Sequence, residues 1–111
     1  GRPEGVAADC GKLGLIARAL GGFDEAERLY HKALEIYERI GRPEEMAIQY
    51  GNLGTVAKAR GDLDEAERLY REALAIFERI GAKDRVEQTQ RNLRRVAEAR
   101  RQADGGANGT E

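Results

Sequence analysis

The stretch Phe23–Gly41, FDEAERLYHKALEIYERIG, returns forty positions later as Leu63–Gly81, LDEAERLYREALAIFERIG. Laid without a gap, residues 1–40 and 41–80 agree at 24 of 40 positions. Repetition at a fixed period is the mark of a stack, in which each unit buries its apolar face on the next. A third unit opens at Gly81 but matches the second at only seven of its first twenty positions, and its second half never arrives.

Within a unit the apolar residues keep helical time. Ala26, Leu29, Tyr30, Ala33, Leu34, Tyr37 and Ile40 recur at three- and four-residue steps, and Ala66, Leu69, Tyr70, Ala73, Leu74 and Phe77 repeat the stripe. The first helix of each unit carries Ala7, Cys10, Leu13, Gly14 and Ala17, then Ala47, Tyr50, Leu53, Gly54 and Ala57. Asp24 and Asp64, each with a Glu three residues on, have the spacing of a capping box. Gly41 and Gly81 read as helix stops, and Pro43 suits a first helical turn. Five helices follow, near 4–20, 24–40, 43–60, 64–80 and 84–102. Where the second unit has Ala47, Ile48, Tyr50 and Gly54, the third has Glu87, Gln88, Gln90 and Arg94, so the fifth helix is polar enough to close a stack. The Gly-rich end at 103–111 reads as a flexible tail.

The spacing Leu13-Gly14-Ala17 with Ala26-Tyr30, repeated as Leu53-Gly54-Ala57 with Ala66-Tyr70, resembles the tetratricopeptide repeat. A forty-residue period exceeds that family's usual unit of about 34 and falls in the HEAT and armadillo range of roughly 40 to 47, but the residue pattern decides for the tetratricopeptide repeat. Long units of this kind resemble those of kinesin light chains, Pins-type adaptors and bacterial repeat proteins. The resemblance implies an all-α, right-handed solenoid of antiparallel helix pairs. Its domain spans 1–102, made of repeat 1 (1–40), repeat 2 (41–80) and a capping helix (81–102).

The 111 residues carry 19 basic and 20 acidic side chains, a net charge of −1. That balance supplies no global attraction to nucleic acid or anionic membrane, and neither is expected as a partner. No apolar run reaches the length of a membrane span. A single cysteine forms no internal disulfide, and the opening GRPEGVAADC lacks the layout of a secretory signal, which together point to a cytoplasmic setting. An enzyme is not expected, nor a cofactor or metal. The one histidine, His31, has Arg71 as its repeat equivalent and falls on the solvent side of a helix, while Cys10 shares its slot with Tyr50 and reads as core.

The functional expectation is a scaffold for protein partners. By the family's phase the slot before the Leu-Gly pair faces a concave groove, and here it holds Lys12, Asn52 and Asn92. An amide side chain offers donors and an acceptor to an extended peptide backbone. Leu15, Arg18, Thr55, Lys58, Arg91 and Arg95 are expected beside them, so the groove should take an acidic peptide segment. Charge is sorted accordingly: residues 84–101 hold six arginines against three acids, whereas the outer helices 24–40 and 64–80 are each near −2. The carboxylate clamp of chaperone-binding relatives would need matching residues at Ala8, Lys12, Asn52, Gln88 and Asn92. Only Asn52 agrees, so a chaperone tail is not the expected ligand. The alternative reading is self-assembly, a homo-oligomer formed through Val6, Cys10 and Leu20 of the uncapped first helix.

Overall fold

The computed structural model describes the backbone of residues 2–108 and side chains through Gly105. Five helices follow one another: α1 Pro3–Ala19, α2 Phe23–Ile40, α3 Pro43–Ala59, α4 Leu63–Ile80 and α5 Lys83–Asn108. They form two helix pairs, α1 with α2 and α3 with α4, joined through α2 to α3 and closed by α5 on α4. This is an all-α solenoid, extended and flat at 58 × 32 × 18 Å.

Each pair locks through a glycine. A Cβ on Gly14 would lie 2.6 Å from the ring of Tyr30, and one on Gly54 would lie 2.9 Å from the ring of Tyr70. Only a residue without a side chain lets the tyrosine lie flat against the facing backbone at that distance. Both tyrosines are buried, with Ala26, Leu53, Val56, Ala66 and Val96 around them in one continuous core. A second cluster of Ala7, Cys10, Leu29, Ala33 and Tyr37 fills the first pair, and a third of Ala47, Ala73, Ile76 and Phe77 fills the second.

All four joints are built alike. Gly21, Gly41, Gly61 and Gly81 have φ between 72° and 83°, the left-handed conformation that ends a helix. The next N–H returns to the last turn each time: Gly22 to Ala17 O at 2.8 Å, Arg42 to Tyr37 O at 2.9 Å, Asp62 to Ala57 O at 2.9 Å and Ala82 to Phe77 O at 3.0 Å.

Several sequence expectations change here. Leu13 is 52% exposed whereas its equivalent Leu53 is 2% exposed. Leu53 shares a cluster with Ala26 and Tyr30 of the preceding unit, a cover that no helix among the described residues gives to Leu13. Asp24 and Asp64 do not cap. The helices begin one residue earlier, at Phe23 and Leu63, with Gly22 and Asp62 in the cap position, and only Asp62 accepts a backbone bond, from the N–H of Glu65 at 3.2 Å. Asp24 and Asp64 instead receive arginines from the following unit: Arg60 pairs with Asp24 and Arg100 with Asp64. The tail expected from 103 is helical through Asn108, and residues 109–111 lie outside the described ones. The polar residues Glu87, Gln88, Gln90 and Arg94 of α5 are all exposed, as a closing helix requires.

Candidate functional site

The concave side holds a cleft of about 650 Å³ between α3 and α5, floored by Tyr70 and Phe77 of α4 and reached by Arg18 from the end of α1. Asn52, Thr55 and Lys58 line one wall, one helical turn or less apart on α3; Asn92 and Arg95 line the other on α5. Those five, with Arg18, are the expected residues the structure brings together, and Thr55 is placed by a bond described below. Three others fall elsewhere. Lys12 and Leu15 are exposed on α1 and do not line the cleft. Arg91 lines a separate depression of about 460 Å³ with Arg94, Arg95, Glu98 and Arg101.

A short chain of hydrogen bonds builds the floor. Thr55 Oγ1 donates to the carbonyl of Gly51 at 3.1 Å, which uses its only proton. The Tyr70 hydroxyl, 2.8 Å from the same oxygen, is therefore the donor to Thr55. Burial pushes the Tyr70 phenol up from its ordinary pKa. The first unit repeats the tyrosine without the threonine: Leu15 stands in the slot of Thr55, and the buried hydroxyl of Tyr30 has no partner among the described residues.

Asn52 is partly committed, since its Nδ2 lies 3.5 Å from Gln49 Oε1, the outer limit of a hydrogen bond. Gln49 is itself buried and lies over Gly11, where a Cβ would be 3.6 Å from its amide. The same slot one unit on is Thr89, also buried, whose hydroxyl donates to Arg85 O at 2.7 Å. The polar pair Gln49 and Thr89 escaped the sequence reading, as did Arg85 and Ile48 in the cleft wall. Their signal was present: a polar residue stands at the same phase of successive units, on the inner side of the groove helices.

The charges separate by partner. On the outer helices four of the six Lys and Arg side chains are taken up locally: Arg28 by Glu25, Arg39 by Glu35, Arg68 by Glu65 and Arg71 by Glu67. The Glu65 carboxyl is held below its ordinary pKa first by the hydrogen bond from Arg68, and Glu67 by those from Arg71 and then Arg100. In the cleft, Arg18, Lys58, Arg85 and Arg95 form no ion pair among the described residues, and no carboxylate lines it. Among the described residues no group of three His, Cys, Asp or Glu side chains is placed to hold a metal ion, and no helix is long and apolar enough to cross a membrane.

Paired helices, glycine-tyrosine locks and a concave groove are the attributes of a helical repeat scaffold. The tetratricopeptide repeat profile matches residues 7–79, and the chain belongs to that family, whose repeats mediate protein–protein interaction. Comparison with curated proteins gives no match. Among solved structures, the chain is similar in fold to BtubC (BKLC) from P. vanneervenii, at a TM-score of 0.60 and 23% identity over 86% of this chain. It spans 48% of the length of that protein.

Proposed function

We propose that the cleft captures an extended or short helical peptide segment carrying acidic residues. The observation that supports this reading is the cleft's one-sided charge: four cations without ion-pair partners and no carboxylate among the described residues. Asn52 and Asn92, one repeat apart on facing walls, bond the ligand backbone. Arg18, Lys58 and Arg95 attract its carboxylates inside the cleft, while Lys12 and Arg91 extend the basic field along the groove and Leu15 adds an apolar contact at the N-terminal end. The role is non-catalytic and the setting cytoplasmic.

Partly exposed charge pairs contribute on the order of 0.2 to 1 kcal/mol each, so binding is micromolar and weakens with salt. An acidic peptide library is to be titrated against the parent, Asn52→Ala with Asn92→Ala, Lys58→Ala with Arg95→Ala, and the outer-helix control Glu35→Ala. Both cleft double variants lose most of the binding and the control keeps it. Cleft variants that bind like the control, or affinity indifferent to salt between low and physiological strength, would sink the proposal. The self-assembly alternative loses one of its three residues, since Cys10 is buried inside the first helix pair with Leu29 and Tyr37.

A further inference from the structure

The fifth helix turns one face of the repeat from glycine to arginine. Both full units hold glycine at the same three slots, Gly11, Gly14 and Gly21 and then Gly51, Gly54 and Gly61; one repeat on, those slots hold Arg91, Arg94 and Arg101. In α1 and α3 this face receives the next helix, with the rings of Tyr30 and Tyr70 against Gly14 and Gly54. A Cβ at that slot would stand 2.6 and 2.9 Å from the ring in the two pairs, so Arg94 bars a tyrosine-locked helix from the face. Arg91, Arg94 and Arg101 are exposed, as is Ala97, whose equivalent Ala57 is buried. With Arg95 and Glu98 they line the depression of about 460 Å³. None of these four arginines forms an ion pair among the described residues, whereas Arg100 beside them is held by Asp64 and Glu67 of α4. Arg95 lines both the depression and the cleft, so the basic surface of the cleft continues onto the far side of α5.

We propose that Arg91, Arg94 and Arg101 form a second subsite for the acidic partner segment, which leaves the cleft at Arg95 and lays a further acidic stretch along α5. This inference rests on the cleft reading given above. Arg91 and Arg101 stand ten residues apart on one helix, about 15 Å, which is the reach of about five residues of extended peptide. The partner therefore carries two acidic stretches in tandem, one for the cleft and one of about that length for α5. Guanidinium forks match carboxylate geometry two N–H groups to two oxygens, and Glu98 among them repels an acid from its own position, which sets the stretch's register. A phosphate backbone would meet the same arginines. The peptide is favoured because the face continues a cleft whose Asn52 and Asn92 suit a peptide backbone, and because a net charge of −1 gives the chain no long-range pull on nucleic acid.

The test uses the whole 111-residue chain and fluorescence anisotropy. The probes are two labelled peptides, one with a single run of about five glutamates and one with two such runs in tandem. The tandem peptide binds about tenfold more tightly than the single one, the gain that three partly exposed charge pairs give together. Arg91→Gln with Arg94→Gln and Arg101→Gln removes that gain and leaves the single peptide, held in the cleft, as it was, while circular dichroism stays that of the parent. If the triple variant loses helicity, Arg91→Gln with Arg101→Gln removes most of the gain. The same loss of charge elsewhere, Lys32→Gln with Arg39→Gln and Arg79→Gln on α2 and α4, keeps it. A tandem peptide that gains nothing, or gains as much on the arginine variant, overturns the second subsite while single-peptide binding that needs Asn52 and Asn92 upholds the cleft. A single peptide that does not bind overturns the cleft reading and this inference with it. A gain lost equally in the α2 and α4 control reports bulk charge and overturns the subsite. So does an oligouridylate that binds more tightly than the tandem peptide through the same arginines, and so does a dimer in light scattering that the arginine variant dissolves.

Discussion

The two glycine-locked tyrosines offer one substitution with opposite effects. Tyr70 donates to Thr55, so Tyr70→Phe removes a part-buried hydrogen bond, a net loss of about 1 kcal/mol. Tyr30 is fully buried and its hydroxyl is unpartnered among the described residues, so folding strips water from that hydroxyl without replacement, at a cost of roughly 1 to 3 kcal/mol. Tyr30→Phe removes that cost, and taking the low end gives a gain of about 1 kcal/mol. The two variants should therefore differ by about 2 kcal/mol, or roughly 8 to 16 °C in midpoint for a domain near this size. Leu15→Thr supplies the missing acceptor in the slot of Thr55; Leu15 is already 43% exposed, so little apolar burial is lost. Urea denaturation of the parent, both Phe variants, Leu15→Thr and the Leu15→Thr, Tyr30→Phe double variant completes a cycle with a coupling of about 1 kcal/mol. If both Phe variants move the midpoint the same way, or the cycle closes with no coupling, the reasoning about the orphaned hydroxyl is wrong.

Three further outcomes are expected. Gly14→Ala and Gly54→Ala force a Cβ into a tyrosine ring and cost about 1 to 3 kcal/mol, whereas Gly51→Ala, with nothing within 4 Å, gains up to about 1 kcal/mol from helix propensity; thermal melts should rank them in that order. Deleting residues 84–111 uncovers Leu69, Ile76 and Phe77, and should give aggregation or a broadened unfolding transition by calorimetry; a truncated chain that melts as sharply as the parent would remove α5 from its closing role. Glu65 and Glu67 have carboxyls lowered in the folded state, so their contribution is present above the ordinary carboxylate pKa and is lost as pH falls through the lowered one. Glu67→Gln should accordingly flatten the acid limb of a stability-versus-pH curve measured by urea midpoints.

The period, the helix pairs and the closing helix were legible because they depend on residue spacing within one unit. Gly14 and Gly54 declared the close approach of Tyr30 and Tyr70 in the same way. What escaped depends on neighbours. Leu13 and Leu53 are the same residue in the same phase, yet one lies in water and the other in the core, because burial of an outer stripe is settled by whether another unit covers it. Asp24 and Asp64 imitate caps at three-residue spacing, but their partners, Arg60 and Arg100, lie 36 residues away and are recognisable only once two units are stacked. In the groove Asn52 and Asn92 line the cleft whereas Lys12, at the same phase, does not, because the cleft forms where α3 faces α5 and α1 contributes only Arg18.

The four left-handed glycines bear on heredity as much as on geometry. Every joint closes the same way, at Gly21, Gly41, Gly61 and Gly81, and nothing in a joint depends on which unit it belongs to. An unequal exchange between the DNA for residues 23–41 and 63–81, nearly the same text, would add or remove one whole unit and cut no helix. Every new seam would meet an arginine already suited to the acids before it, as Arg60 and Arg100 are. Length in such a molecule is thus a trait that selection adjusts in steps of forty residues, without first having to solve a new folding problem.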